Sequence, residues 1–246
     1  MQFIDARQAL NNLLEDNQSI GGLQIKVTSR ALKNEEAIGH PERGDFPLLR
    51  GKEVLLQAEI DGYKGQAFTS DPIAWQGDIK RLAALPVDRP GNYALMVAAL
   101  NALARKLGLA GHTIHCRDQE PEQCAPQIAS ALREQYGLCR VGIVGYQPAI
   151  IDNCVREFGA EHVRVTDLDR DNVGSVRYGV EIWDGLRDTG RLIDFADVLL
   201  ITGSILANGT AEDVLAAVEK PVYFYGTTCA ALAHFNQFNR LCPLSR

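Results

Sequence analysis

Asp197-Val-Leu-Leu-Ile-Thr-Gly-Ser-Ile-Leu-Ala-Asn-Gly-Thr210 decides the fold of this chain. Four consecutive apolar residues, Val198 to Ile201, bounded by Thr202-Gly203-Ser204, predict a parallel-sheet strand covered on both faces. The turn behind it carries hydroxyls and backbone N–H groups, and a helix is expected to start near Thr210. That is the edge at which open α/β sheets bind anions and cofactors.

Outward from this stretch, strands alternate with helices after residue 110. Strands are expected at about 111–115, 139–144, 162–167, 197–202 and 221–225, and helices at about 121–135, 148–158, 210–218 and 228–236. This spacing implies right-handed crossovers and a mainly parallel sheet. Before residue 110 the pattern differs. Phe3, Ile4, Leu10, Leu13 and Leu14 mark an amphipathic helix over 3–16, and a strand runs from Leu23 to Ser29 after Gly21-Gly22. A charged, Gly- and Pro-rich loop spans Gly39 to Gly51. Glu53–Ile60 and Tyr63–Thr69 flank Asp61-Gly62, a hairpin signal, because Asp-Gly suits the positive φ angles of a tight turn. Helices are expected over 71–84, capped by the segment Phe68-Thr69-Ser70-Asp71-Pro72, and over 92–107, with Asn92 as N-cap and Gly108 as C′ residue. The reading is an α+β domain over 1–109 followed by an α/β domain over 110–246.

Composition sets the outer bounds. The chain has 246 residues, 46% hydrophobic and 23% charged, with a formal net charge of −6. That balance suits a globular protein and argues against nucleic-acid or acidic-membrane partners. Met1-Gln-Phe-Ile-Asp does not resemble a secretion signal, and the most apolar segment, Ala94 to Ala104, is too short to span a bilayer. The six cysteines are therefore expected to be reduced thiols in a cytoplasmic protein.

Three groups of residues carry candidate chemistry. Arg140 to Pro148 reads as a strand, a glycine turn at Gly145 and a proline in the first helical turn, with Gln147 beside it. Its glycines, Gly142 and Gly145, do not make the dinucleotide fingerprint. Asp167, which lies 22 residues after Gly145, and Asp169 close the next strand, where a carboxylate accepts from a ribose or holds a cation. The turns Thr202-Gly203-Ser204 to Asn208-Gly-Thr210 and Gly226-Thr227-Thr228-Cys229 open on the same sheet edge and suit a phosphate, a carboxylate or a chelate. Helix capping explains the same threonines without a ligand.

Metal ligands form the third group. His115, Cys116 and Cys124 lie near Asp118, Glu120 and Glu122, while Cys229, His234 and Cys242 form a sparser set; neither has zinc-finger spacing. Carboxylates around Pro121 also suit a helix start, and Cys124 a small core residue. Asn101 is a lone amide in an apolar helix, either internally satisfied or in contact with a ligand. No catalytic triad, Walker loop, HExxH or basic–aromatic nucleic-acid pattern is present.

Ile201 to Thr210, Phe224-Tyr-Gly-Thr-Thr228, Gly145-Tyr-Gln-Pro148 and Asn101-Ala102 together resemble the heavy-metal chelation family, a domain of formerly unknown function. The resemblance implies an N-terminal domain like that of enolase, a Rossmann-like C-terminal domain and a site between them. It nominates Asn101, Gly145, Gln147, Thr202, Gly203, Ser204, Asn208, Thr210, Gly226 and Thr227. At Gly226 the family more often reads Gly-Pro-Ser, where this chain has Gly-Thr-Thr-Cys.

The function expected from the sequence is binding of a small anionic ligand, a metal or a metal chelate in the interdomain cleft, in metal trafficking or cofactor assembly. The alternatives are an enzyme using a nucleotide-containing cofactor, with Asp167 on a ribose, and a non-catalytic interaction module. A homodimer is compatible with all three.

Overall fold

The computed structural model describes residues 3–16, 26–51, 53–209 and 211–246. Among these residues the strands form a four-stranded antiparallel sheet and a seven-stranded, mostly parallel one. The start of the strand expected from Leu23, with Gly21-Gly22 before it, lies outside the described residues.

The first half begins with helix α1 (Ala6–Asp16), which turns Ala6, Ala9, Leu10 and Leu13 into the core. Strands β1 (Lys26–Ala31), β2 (Val54–Ile60), β3 (Tyr63–Thr69) and β4 (Trp75–Asp78) follow, in the order β3-β2-β1-β4 across the sheet. The β2–β3 hairpin turns on Asp61 and Gly62 with φ of 49° and 83°, the two positive angles that the Asp-Gly signal requires.

The helix expected over 71–84 is a correction. Residues 75–78 form edge strand β4, paired antiparallel to β1 from Lys26↔Asp78 to Ser29↔Trp75, and only α2 (Ile79–Ala83) is helical. Asp71 also serves another helix. Its carboxylate accepts from Arg89 (2.6 Å) and from the Gly91 N–H (3.1 Å), at the start of α3 (Pro90–Lys106). Pro90 takes the first helical position there, so Arg89 is the N-cap instead of Asn92, whose amide donates to the Pro86 carbonyl.

Helix α3 is the centre of the molecule. Every residue from Ala94 to Ala104 is buried. One side packs on β3 and β2, the other on the C-terminal half. At Gly65 the backbones come so close that a Cβ would sit 2.2 Å from the Ala102 nitrogen, so only glycine fits. A single apolar cluster runs from Leu10 through α3 to Phe224 and Leu232, joining both halves of the sequence.

The second half contains α4 (Glu120–Tyr136), β5 (Val141–Val144), α5 (Pro148–Phe158), β6 (Val163–Asp167), β7 (Val176–Arg177), β8 (Val180–Asp184), α6 (Thr189–Phe195), β9 (Val198–Thr202), α7 (Ala211–Ala216), β10 (Val222–Tyr225), α8 (Ala230–Phe235) and β11 (Asn239–Arg240). The sheet order is β11-β10-β9-β5-β6-β8-β7, parallel except for β7 against β8. Counting the six parallel strands along the chain as first to sixth, the sheet runs third-second-first-fourth-fifth-sixth. Chain direction across the sheet therefore reverses between β5 and β9.

Residues 111–115 are not a strand, a second correction. They form an irregular segment in which His112 takes φ of 58°, with the Thr113 carbonyl accepting from the Gln66 N–H and Ile114 exchanging hydrogen bonds with Arg246. Strands β7, β8 and β11 and helix α6 have no counterpart in the sequence reading. No helix among the described residues is long and apolar enough to cross a membrane.

Candidate functional site

The reversal between β5 and β9 brings Gly145 and Thr202 together at the carboxyl edge of the sheet. Gly145 has φ of 96°, and a Cβ there would lie 2.5 Å from Thr202 Cγ2. Its N–H donates to the Thr166 carbonyl on β6. Gln147 caps α5 by accepting from the Ile150 N–H at 2.7 Å, and Pro148 takes the first helical position.

Two compartments of one cleft meet here, sharing Pro47, Glu53, Tyr146, Thr202 and Ser204. The smaller holds about 110 Å³ and draws its walls from both halves of the sequence, among them Phe46, Leu48, Phe68, His115, Cys116, Cys124, Thr227 and Cys242. The larger holds about 710 Å³ and lies along the ends of β5, β6, β8 and β9, with Arg50, Gly145, Asp167, Asp169, Asn172 and Asn208 on its walls.

Two polar atoms beside the smaller compartment lack partners. The Oγ1 of Thr227, a fully buried residue, and the His115 Nδ1 are shielded from solvent and make no hydrogen bond of ordinary geometry among the described residues, although the backbone of Cys116 and Ala37 lies near the imidazole. Burial pushes the His115 imidazole below its ordinary pKa, against the opposing pull of the Cys116 and Ala37 backbone, so the neutral ring dominates at neutral pH. Phe68 packs edge-on against it at 5.6 Å. Burial raises the Cys116 thiol, with Cys242 and Cys124 adding to the effect, and pushes Cys124 up to about 11. Burial holds these thiols protonated, and they would bind a metal only by releasing protons. Among the described residues no three His, Cys, Asp or Glu side chains are grouped to hold an ion.

Cys229 lines neither compartment. It packs beneath Gly203, its thiol 3.3 Å from the Gly226 carbonyl, and burial pushes it up to about 11. Thr228 is also internally used, its hydroxyl accepting from the Phe68 N–H at 3.0 Å. Asn101 is fully buried and satisfied. Its Nδ2 donates to the carbonyls of Gln66 (2.9 Å), Thr227 (3.2 Å) and Thr228 (3.1 Å), and its Oδ1 accepts from Ala231. Asn101 thus lies behind the site rather than in it. Thr210 is outside the described residues. The caps expected at Thr227 or Thr228 are replaced by Cys229 as the N-cap of α8, which makes no side-chain capping bond.

In the larger compartment the Asp167 carboxylate organises the edge. Its Oδ2 accepts from the Tyr146 N–H (2.7 Å), and its Oδ1 from the Asp169 N–H (2.8 Å) and Asn172 Nδ2 (3.1 Å). The hydroxyls of Thr202 and Ser204 lie 3.1 Å apart at the seam between compartments.

Glu53 and Arg50 are site residues that sequence reasoning missed. Burial, reinforced by the charges of Asp167 and Asp169, raises the Glu53 carboxyl above its ordinary range. Arg50 donates to Asn172 Oδ1 at 2.8 Å and stacks over Tyr146. Both come from the segment read as a loop and hairpin start, and a lone charged residue there carries no periodic signal. Arg43 latches the same segment onto the second half, reaching Asp152 (3.0 Å), Tyr178 (2.6 Å) and Glu122.

Residues 129–238 match the family model DUF364, described as "Putative heavy-metal chelation". The fold is similar to that of a DUF364-family protein of unknown function from Pyrococcus horikoshii, at 11% identity and a TM-score of 0.53 over 89% of this chain and 79% of that one. It is also similar to a DUF364-family protein of unknown function from Desulfitobacterium hafniense DCB-2, at 10% identity and a TM-score of 0.54 over 94% and 83% of the two chains. No curated protein matches the chain. Identities this low carry the fold alone. The family resemblance read from the sequence is met by the family model over residues 129–238 and by the fold of both neighbours.

Proposed function

We propose that the cleft binds a small anionic ligand, and a metal chelate in preference to a bare ion. The observation that carries this reading is the pair of unpartnered buried atoms, Thr227 Oγ1 and His115 Nδ1, beside a compartment that also presents Cys116, Cys124 and Cys242. A buried hydroxyl without a partner costs about 1–3 kcal/mol, a cost that a bound ligand recovers. A bare ion needs a converging ligand set, which the described residues lack. A chelate brings most of its own ligands and needs one or two soft donors plus hydrogen bonds. Arg50 and the Thr202 and Ser204 hydroxyls would hold its anionic part.

The same proposal takes residues 1–109 as an enolase-N-terminal-like unit and 110–246 as a Rossmann-like one. The third-second-first-fourth-fifth-sixth strand order supports the second assignment. A cytoplasmic protein without nucleic-acid or membrane partners, in metal trafficking or cofactor assembly, is the setting this reading implies.

The test is elemental analysis with native mass spectrometry on untagged protein purified without chelators. The expected result is a metal-containing adduct of defined mass, lost in Cys116→Ser and Cys124→Ser variants that still melt cooperatively. Protein carrying neither metal nor a small-molecule adduct after growth in metal-supplemented medium overturns the proposal.

A further inference from the structure

The larger compartment has features that a chelate does not explain. Its volume of about 710 Å³ is within the range of organic-ligand pockets. Leu168 and Leu186 line it although they are 49% and 80% exposed. Scattered exposed leucines are ordinary, but these two follow the ends of neighbouring parallel strands, where Asp167 pairs with Asp184. The Gly185 N–H donates to the Asp167 carbonyl at 2.9 Å, which sets both leucines at one mouth. Deeper in, the hydroxyl of Thr166, a fully buried residue, has no partner among the described residues.

Asp167, next to Thr166 in the chain, lines the same compartment. Three protein donors occupy its carboxylate, two on Oδ1 and one on Oδ2, so one Oδ2 lone pair is left for a ligand hydroxyl. The start of α5, by contrast, is poorly equipped for phosphate. Its first residue is Pro148, which has no N–H, and the Ile150 N–H is already taken by Gln147.

We infer that the larger compartment takes a nucleoside moiety carrying no phosphate at the β5 turn, its flat base between Leu168 and Leu186 and its ribose hydroxyl on Asp167. The inference rests on the cleft being a ligand site and names the chemistry of its larger half.

Calorimetric titration with adenosine, S-adenosylhomocysteine, AMP and NAD tests it on the full chain. The expected result is saturable binding of adenosine and S-adenosylhomocysteine, with no gain from the phosphates of AMP or NAD. Leu186→Asp should weaken adenosine binding about tenfold or more without moving the melting temperature, because that side chain supports no packing. Thr166→Val should weaken binding while preserving the fold. No binding of any of the four at about 1 mM, or AMP binding about tenfold tighter than adenosine, overturns the inference. Metal retention in the smaller compartment is read separately, so failure of the nucleoside inference is distinguishable from failure of the chelate reading.

Discussion

Asn101 and Ala231 are joined by a 2.8 Å hydrogen bond from the Ala231 N–H to the Asn101 Oδ1, across 130 residues of sequence. The same amide holds the Gln66 carbonyl of β3 and the carbonyls of Thr227 and Thr228 in the turn before α8. One side chain therefore fixes the antiparallel sheet, helix α3 and the wall of the smaller compartment in a single register. Asn101→Ala would leave an N–H and three carbonyls buried without this partner. The expected loss is about 2–4 kcal/mol in urea denaturation, since each orphaned group costs about 1–3 kcal/mol and relaxation recovers part. Asn101→Asp should be at least as damaging, because a carboxylate would face those three carbonyls. An Asn101→Ala protein within about 0.5 kcal/mol of the parent would show that the amide is not structural.

The ion pair of Arg140 and Asp197 predicts an acid-dependent stability term. Arg140 donates to Asp197 from its guanidinium at 2.6 Å and from its backbone at 2.9 Å, tying the segments before β5 and β9. These side-chain and then backbone hydrogen bonds pull the Asp197 carboxyl down to about 2. Since the folded value lies below the unfolded one of about 3.9, the contribution is complete above that range and disappears as pH falls towards 2. Both side chains are nearly half exposed, so screening holds the term below about 1 kcal/mol. Asp197→Asn should flatten the stability profile between about pH 4 and 2 and leave its shape above pH 5 unchanged. An NMR titration of Asp197 with a midpoint near 4 would contradict this account.

Thiol reactivity should be ordered by burial. Cys116, Cys124, Cys139, Cys154 and Cys229 are buried, and Cys242 is half-buried at the cleft. Cys124 and Cys229, both pushed up to about 11, hold only about a thousandth of their thiols ionised at pH 8. Iodoacetamide under native conditions should therefore modify Cys242 first, and Cys242→Ser should abolish the fast phase in peptide mapping. Rapid labelling of Cys124 in the Cys242→Ser protein would mean that the smaller compartment opens to solvent.

What the sequence revealed and what it withheld divides along physical lines. Apolar runs bounded by turn residues, as in Val198–Thr202 and Val222–Tyr225, are local signals, and the parallel strands through the sheet centre follow from them. Edge strand β4 has no such signal. Trp75-Gln-Gly-Asp78 is short, contains glycine and is held by pairing to β1 more than 45 residues away. Strands β7 and β8 flank the two-residue Tyr178-Gly179 turn, whose φ angles of 53° and 81° are those a tight hairpin requires, and a tyrosine at the first position hides that signal. Along the cleft wall, Gly145, Asp167, Thr202 and Ser204 could be placed from sequence because each stands at or just past the end of a recognisable strand. Glu53 and Arg50 were not, because only the folded chain carries residues 50–53 to the sheet edge.

The unpartnered Thr227 hydroxyl separates a binding role from a structural one. Valine matches threonine in shape but has no oxygen to bury. If the hydroxyl awaits a ligand, the empty protein bears its desolvation cost, and Thr227→Val should stabilise that form by about 1 kcal/mol. If a structural partner held it, the same change would be destabilising. The ligand-loaded protein should respond in the opposite sense, with less adduct retained in native mass spectrometry and a smaller ligand-induced rise in melting temperature. The expected outcome is therefore a crossing: the variant melts above the parent when empty and below it when loaded. A variant that melts lower in both states would mean that Thr227 is a packing residue and would remove one of the two atoms on which the ligand reading rests.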